Sequence, residues 1–193
     1  MRQDWVQIAG NCDRQLLGCD AEDLGPSDRF ALERLSVEQR QWLAGLPPNA
    51  VVCEEVRLVH GTPSDDTAYL LETVEDGHAR LARPGEIVQR LGGVAGTLVL
   101  CGHSHIARVV RTAGVLIVNP GSVGLPAYDH DVPQVHVMES GSPDARYALL
   151  ERTSRRWSAA LVTVPYDNLG AAQRAEQNGR PDWASALRTG YMS

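Results

Sequence analysis

Short apolar runs that end in glycine, asparagine, histidine or proline recur along the chain. Four of them lead into the segments 10–13, 60–63, 102–105 and 119–124. A short apolar run bounded by such residues is typical of a buried strand, because a helix needs a longer run. We therefore predict strands over 5–9, 56–59, 96–100 and 115–118, each followed by a polar loop.

Helices and hairpins are predicted between these strands. Ser36 and Gln39 form a capping-box pattern that begins a helix, and Gly45 ends it. Further helices are predicted from Ser27 to Leu35 and over 66–72, 84–91, 168–177 and 183–187. Hairpins are predicted over 50–59, 108–118 and 146–164. This order of elements predicts a strand-rich α/β fold.

Length and hydropathy favour one globular domain over residues 1–193. The 193 residues are 43% hydrophobic, which is enough for one core. The chain has no apolar stretch of about 18 residues that would span a membrane. Its first residues lack the apolar core of a signal peptide. We therefore expect a cytoplasmic protein without a membrane partner.

The charge pattern disfavours nucleic-acid binding. The net charge is −6, and all 18 basic residues are arginines. Arg155–Arg156 is the longest basic run, so a phosphate-neutralising face is not expected. A small anionic substrate is still compatible with an acidic chain, because bound divalent cations dominate their local field.

The four cysteines follow no regular spacing. Cys53 and Cys101 fall within apolar strands, where a free thiol behaves as a small hydrophobic group. Two less favoured alternatives involve Cys12 and Cys19. They are a disulfide between the two, which a cytoplasmic location opposes, and a zinc site that they form with a histidine.

Two histidines, His103 and His105, stand two residues apart directly after a predicted strand. In an extended segment or tight turn, such residues point to the same side, so both imidazoles could face one metal ion. Gly102 lets the backbone approach that ion closely. The alternative is a pair of loop histidines with ordinary hydrogen-bond partners.

Two more polar side chains follow other strands of the predicted sheet. Asn11 and His60 join His103 and His105 at one edge, because functional groups gather beyond the carboxyl ends of strands in α/β sheets. Nitrogen and oxygen donors suit Mn, Fe or Zn. The ligands are not paired thiolates, so a structural zinc knuckle is not expected.

The order of the four motifs resembles the calcineurin-like metallophosphoesterase superfamily, and most of all its small bacterial and archaeal phosphodiesterases. The motifs are Gly10–Asp13, His60–Pro63, Gly102–His105 and Asn119–Gly124. The resemblance covers nearly the whole chain. It implies a two-sheet β-sandwich flanked by helices (an α/β/β/α arrangement).

The same resemblance implies a metal-dependent phosphoesterase with a small phosphoester substrate, a phosphodiester by preference. Asn11, His60 and His103 correspond to ligands of one of two divalent ions (Mn, Fe, Zn or Ni), and His105 to a ligand of the other. In the family, a hydroxide shared by the ions attacks phosphorus. His60 and Cys12 are the catalytic candidates. Cys12 stands where many members have a histidine that helps to protonate the leaving group, and a thiol is a poor acid at neutral pH.

The front of the chain departs from the family pattern. The family begins with Asp-x-His and Gly-Asp motifs, which do not precede Asn11. About one βαβ unit of roughly 30 residues is missing. We therefore expect an N-terminally truncated domain that lacks the first strands, with an incomplete second metal site. The exposed edge expected at Val6–Ile8 would favour aggregation or a homo-oligomer.

The sequence leaves two hypotheses open. The first is the phosphoesterase, and the second is a catalytically impaired binding or scaffold domain of the same fold, like the related subunit of the retromer coat. Other polar residues have ordinary interpretations. They are a surface His78, a structural His136, a surface Arg108, a plain polar loop over 128–131, and Asn119 and Ser122 as residues that shape their loop.

Overall fold

The computed structural model describes residues 5–20, 22–154 and 156–192. The helices are α1 (Asn11–Gly18), α2 (Pro26–Arg34), α3 (Val37–Ala44), α4 (Pro84–Leu91), α5 (Asn168–Gln177) and α6 (Pro181–Thr189). The strands are β1 (Asn49–Cys53), β2 (Val56–Val59), β3 (Glu72–Glu75), β4 (His78–Leu81), β5 (Leu98–Leu100), β6 (Arg108–Thr112), β7 (Val115–Asn119), β8 (Ala127–His130), β9 (His136–Glu139), β10 (Ala145–Thr153) and β11 (Arg156–Val164).

The strands form two mixed sheets and a separate hairpin. The larger sheet has the order β1-β2-β5-β7-β6, and the smaller one the order β3-β4-β9-β8. β10 pairs with β11. Strands β2, β5 and β7 run parallel, so their carboxyl ends meet at one edge. The α/β fold with two sheets and flanking helices that the sequence predicts is confirmed.

The three central strands of the five-stranded sheet are buried on both faces. One face packs against α4 through Val59, Ile87 and Ile117. The other face packs against the β10–β11 hairpin through Leu98 and Leu150. Burying each such side chain contributes about 1.5–3 kcal/mol. Because both faces are covered, the central strands are continuous apolar runs instead of alternating ones.

Several predicted boundaries are confirmed in atomic detail. The hydroxyl of Ser36 accepts a hydrogen bond from the backbone N–H of Gln39, whose side chain accepts one from the backbone of Ser36. The hairpin between β6 and β7 turns at Ala113 and Gly114, both with positive φ. The 50–59 and 146–164 hairpins and the helices near 84–91, 168–177 and 183–187 are also present.

The strand predicted over 5–9 is wrong. Residues 5–10 form no strand, and Asn11 begins a helix. Asp13 accepts a hydrogen bond from the backbone N–H of Gly10, which starts α1 directly after the apolar run. Trp5 is 65% exposed and Val6 50% exposed, so this run is not buried. The strand edge expected at Val6–Ile8 is therefore absent.

The helix predicted over 66–72 is also wrong, because this stretch leads into β3. Asp65 accepts hydrogen bonds from the backbone and hydroxyl of Thr67, a turn that competes with a helix. The second helix begins at Pro26 instead of Ser27. Cys53 is exposed instead of buried, since β1 is an edge strand.

No helix within the described residues is long and apolar enough to cross a membrane.

Candidate metal centre and its pocket

One pocket of about 250 Å³ brings together every side chain that the sequence singles out for chemistry. These side chains are Asn11, Cys12, His60, His103 and His105. Gly10, Asp13, Leu125, Tyr128 and His130 complete the wall. The pocket lies beyond the carboxyl ends of β2, β5 and β7, with the first turn of α1 along one side.

Close backbone packing holds His60 in the wall of this pocket. The backbone N–H of Gly102 donates to the carbonyl of His60 at 2.8 Å and ties the ends of the two parallel strands together. On the other side, a Cβ at Gly10 would lie 2.9 Å from Cε1 of the His60 ring. Only glycine therefore lets the start of α1 approach the ring.

A hydrogen bond joins Asn11 and His60 across the pocket. The Nε2–H of His60 donates to Oδ1 of Asn11 at 2.9 Å. Two ligands at right angles on one ion, each about 2.1 Å from it, are about 3 Å apart. The distance between Nε2 of His60 and Oδ1 of Asn11 is therefore compatible with both atoms binding one divalent ion in place of the proton that they share here.

The two loop histidines adopt an unusual backbone. His103 has φ of +64° and His105 has φ of +59°. The left-handed region costs roughly 1–2 kcal/mol for a residue other than glycine, and such strain often accompanies function. Both imidazoles thus reach the pocket from a strained loop, whereas the sequence suggested an extended segment or ordinary tight turn.

Each loop histidine donates one ring N–H to a backbone carbonyl. His103 donates from Nε2 to Thr67 at 2.9 Å, and His105 from Nδ1 to Leu125 at 2.8 Å. Such bonds fix the tautomer and orient the ring, and they are typical of the outer shell around metal-binding histidines. One ring nitrogen of each residue is left with a lone pair.

A buried polar network holds the strained loop in place. The amide of Asn119 donates to the carbonyl of Gly102 at 2.7 Å and to the hydroxyl of Ser104 at 3.0 Å. Its oxygen accepts from the backbone N–H of Gly121 at 2.9 Å. Asn119 and Ser104 are fully buried. The loop-shaping role predicted for Asn119 is thus confirmed. Ser122 has a similar role, since its hydroxyl accepts from two backbone N–H groups.

Glu72 extends this network, and sequence reasoning missed it. Its side chain is buried, accepts from Nε of Arg108 at 2.8 Å and accepts a hydrogen bond from Ser104. Burial raises the pKa of Glu72, and the hydrogen bonds from Ser104 and Arg108 oppose that rise. Arg108, expected at the surface, is therefore the partner of a buried carboxylate.

Burial keeps the three pocket histidines neutral. Desolvation lowers the pKa of His60 and His105, and it lowers the pKa of His103 to about 4, with His60 contributing a smaller part. At neutral pH all three are uncharged imidazoles, the form that binds metal ions.

The thiol of Cys12 is also kept in its neutral form. Desolvation raises the pKa of Cys12, and the nearby carboxylates of Asp28, Asp13 and Asp66 raise it further. A thiol that resists deprotonation is a poor nucleophile and a poor metal ligand. All four cysteines are free.

The donor chemistry fits one divalent ion better than two. Asn11, His60 and His103 offer one amide oxygen and two neutral imidazoles to a first ion. Of the predicted ligands, which all lie among the described residues, this leaves His105 for a second ion. Within residues 5–20, 22–154 and 156–192, no group of three or more histidine, cysteine, aspartate or glutamate side chains is placed to hold a metal. This also gives no support to a zinc site on Cys12 and Cys19.

Aromatic residues pack behind the histidines. The ring of Tyr69 stacks on His103 with 4.9 Å between centroids, and Tyr128 meets His105 edge-on at 5.0 Å. The hydroxyl of Tyr128 lies 3.0 Å from the carbonyl of His103. The segment 128–131 begins as strand β8, not as the plain loop that the sequence favours. Its alternation is too short to identify a strand.

Comparisons with known proteins agree with this architecture. The sequence profile of the calcineurin-like phosphoesterase superfamily domain matches residues 2–141. Among solved structures, the chain is similar to a metallophosphoesterase from Sphaerobacter thermophilus, with 20% identity and a TM-score of 0.67. That match covers 95% of this chain and 76% of the other.

A second solved structure, a hypothetical protein from Pyrococcus horikoshii, is similar to the same extent. It shows 18% identity and a TM-score of 0.67 over 96% of this chain and 73% of its own. At these identities the likeness shows a shared fold. Curated proteins give no match to the chain.

Proposed function

The chain belongs to the calcineurin-like phosphoesterase superfamily, and from this premise we propose that it is a metal-dependent phosphoesterase that acts on a small phosphodiester. One observation carries the proposal. Asn11, His60, His103 and His105 line one pocket, and the histidines there are neutral and oriented by the protein. Ordinary loop histidines would not need strained backbone and a buried network to hold them.

The proposed metal ligands are divided between two ions. Asn11, His60 and His103 would hold one ion, and His105 would contribute to a second. Bound divalent ions supply an activated hydroxide and stabilise the charge that develops on phosphoryl oxygens. The protein orients the rings and keeps them neutral.

Cys12 limits the substrates that the site would favour. Because the raised pKa of Cys12 keeps its thiol protonated, it can donate a weak hydrogen bond but gives up its proton reluctantly. We therefore propose that preferred substrates have leaving groups that depart without much protonation, such as phenolates.

Homo-oligomer formation also remains a proposal. The strand edge expected at Val6–Ile8 no longer supports it, because that strand does not form.

The test is hydrolysis of bis(4-nitrophenyl) phosphate by the purified chain with added Mn²⁺. We expect release of 4-nitrophenolate, and we expect a chelator to abolish this activity. His60→Ala should lower the rate of hydrolysis by more than the roughly 10- to 100-fold that is typical of outer-shell partners. His78→Ala is the matched control, since His78 is exposed and outside the pocket. Equal activity in the two variants would contradict the assignment of His60.

A scaffold function is the second candidate, and the incomplete second site favours it. Of the four predicted ligands, His105 alone is assigned to that ion, and the described residues contain no group of three or more histidine, cysteine, aspartate or glutamate side chains placed to hold a metal. Calorimetry with Mn²⁺ separates the two functions. Binding of one ion, lost in His60→Ala and accompanied by no hydrolysis of several activated esters, would favour a binding domain over an enzyme.

A further inference from the structure

His130 lines the pocket but belongs to none of the four motifs. It is the last residue of β8 and reaches the pocket from the smaller sheet, while His60, His103 and His105 follow strands of the larger sheet. It is partly exposed, so a molecule in the pocket has access to it.

The hydrogen bonding of His130 is the reverse of that of the loop histidines. His103 and His105 donate an N–H to the protein and keep a lone pair. At His130, the backbone N–H of Val132 donates to Nδ1 at 2.9 Å, so Nδ1 holds the lone pair and the proton is on Nε2. Asp131 does not reverse this, because its carboxylate is 3.7 Å from Nδ1, too far for a hydrogen bond.

The Nε2–H of His130 is available to a ligand. Within the part of the chain that the structure describes, no acceptor takes this proton. The pocket wall there contains no arginine, so an anion must be recognised by neutral donors or by bound cations. A neutral donor at a fixed position can bind a phosphoryl oxygen, and hydrogen bonds to charged groups are stronger than neutral ones.

Resting on the proposed phosphoesterase function, we propose that His130 is a substrate-binding residue that donates its Nε2–H to a phosphoryl oxygen. His103 and His105 offer lone pairs to cations, and His130 offers a proton to the anion. The smaller sheet thereby supplies the contact to the substrate, and the larger sheet supplies the ligands of the metal. No proton is transferred in this step.

The test measures binding of inorganic phosphate to the full chain with Mn²⁺ by calorimetry, together with bis(4-nitrophenyl) phosphate hydrolysis. Loss of one hydrogen bond to a charged group predicts that His130→Ala weakens phosphate binding roughly 10- to 100-fold. His130→Gln places an amide N–H near the position of Nε2 and should restore most of the affinity. His78→Ala should bind phosphate as the wild type does.

Nitrogen-15 spectra of the histidines give a readout that does not depend on activity. We expect the Nε2–H tautomer at His130 and a shift of its signal on addition of phosphate. A proton on Nδ1, equal phosphate affinity in His130→Ala with an unchanged melting curve, or no phosphate binding to the wild type would each overturn the proposal. Phosphate binding that depends on His130 without any hydrolysis would instead retain this role and reject the phosphoesterase function.

Discussion

The loop Gly102–His105 and the segment Gly10–Asp13 bring polar side chains to the same pocket by different means. The loop follows a buried strand and is fixed by Asn119 from below. The segment follows exposed residues and is fixed by the start of α1. Two of the four proposed ligands, His103 and His105, thus lie in a loop that the core fixes, whereas the segment contributes one, Asn11, from the start of a helix.

The comparison shows that the strained backbone of the loop depends on buried hydrogen bonds that the segment does not need. His103 and His105 can keep a positive φ because buried hydrogen bonds from Asn119 hold the loop and offset the strain. Asn11 needs no strained backbone, since a helix N-terminus places it, and it has fewer buried partners. We therefore expect the loss of a polar contact to cost more stability in the loop than in the segment.

The largest effect is expected from the same chemical change made in both regions. Asn119→Ala leaves buried groups of Gly102, Ser104 and Gly121 without their partner and should lower the free energy of unfolding by about 4 kcal/mol. Asn11→Ala should lower it by about 0.5 kcal/mol or less, because water can replace the lost contact. Urea denaturation measures both, and similar losses would remove the distinction between the two regions.

The second-largest effect is expected from acid, which should lower the free energy of unfolding through His103 in the loop. The pKa of His103 is lowered to about 4 in the folded chain, below its value of about 6.5 in the unfolded chain. The unfolded chain therefore binds more protons between these values, so the free energy of unfolding falls as the pH drops from about 6.5 to 4. This group alone predicts a loss of about 3 kcal/mol between pH 7 and 4.

The measurement is urea denaturation at several pH values with a chelator present. His103→Gln should show a shallower loss on acidification than the wild type. His78→Gln, a change at an exposed position, should follow the wild type. A slope in His103→Gln that matches the wild type would mean that other groups dominate acid unfolding.

The sequence predicted the surroundings of His60 and His103 better than those of Asn11. Parallel strands buried on both faces are continuous apolar runs, and His60 and His103 follow such runs directly. The run before Asn11 has the same pattern but is exposed, and its helix start depends on Asp13. Glu72 could not be found locally, because its partner Arg108 is 36 residues away.

Two glycines at opposite ends of α1 allow a matched test of the contact between the segment and His60. Gly10→Ala would press a methyl group against the ring of His60 and should cost about 2 kcal/mol of stability, as overpacking does. Gly18→Ala, at the other end of α1 with nothing within 4 Å, should be neutral or stabilising by up to about 1 kcal/mol. Thermal melting of the two variants measures both effects. If neither substitution changes the melting temperature, α1 can shift away from the ring of His60 without cost.

The smallest effect is expected from an exposed ion pair of α1. Arg14 of α1 forms a two-point ion pair with Asp66, at 2.7 and 2.6 Å, and its side chain is about half exposed. Exposed pairs contribute little, so Arg14→Ala should lower the free energy of unfolding by about 0.5 kcal/mol, and less in 1 M salt. A loss above about 2 kcal/mol in urea denaturation would mean that this pair anchors α1 and that the segment is as firmly held as the loop.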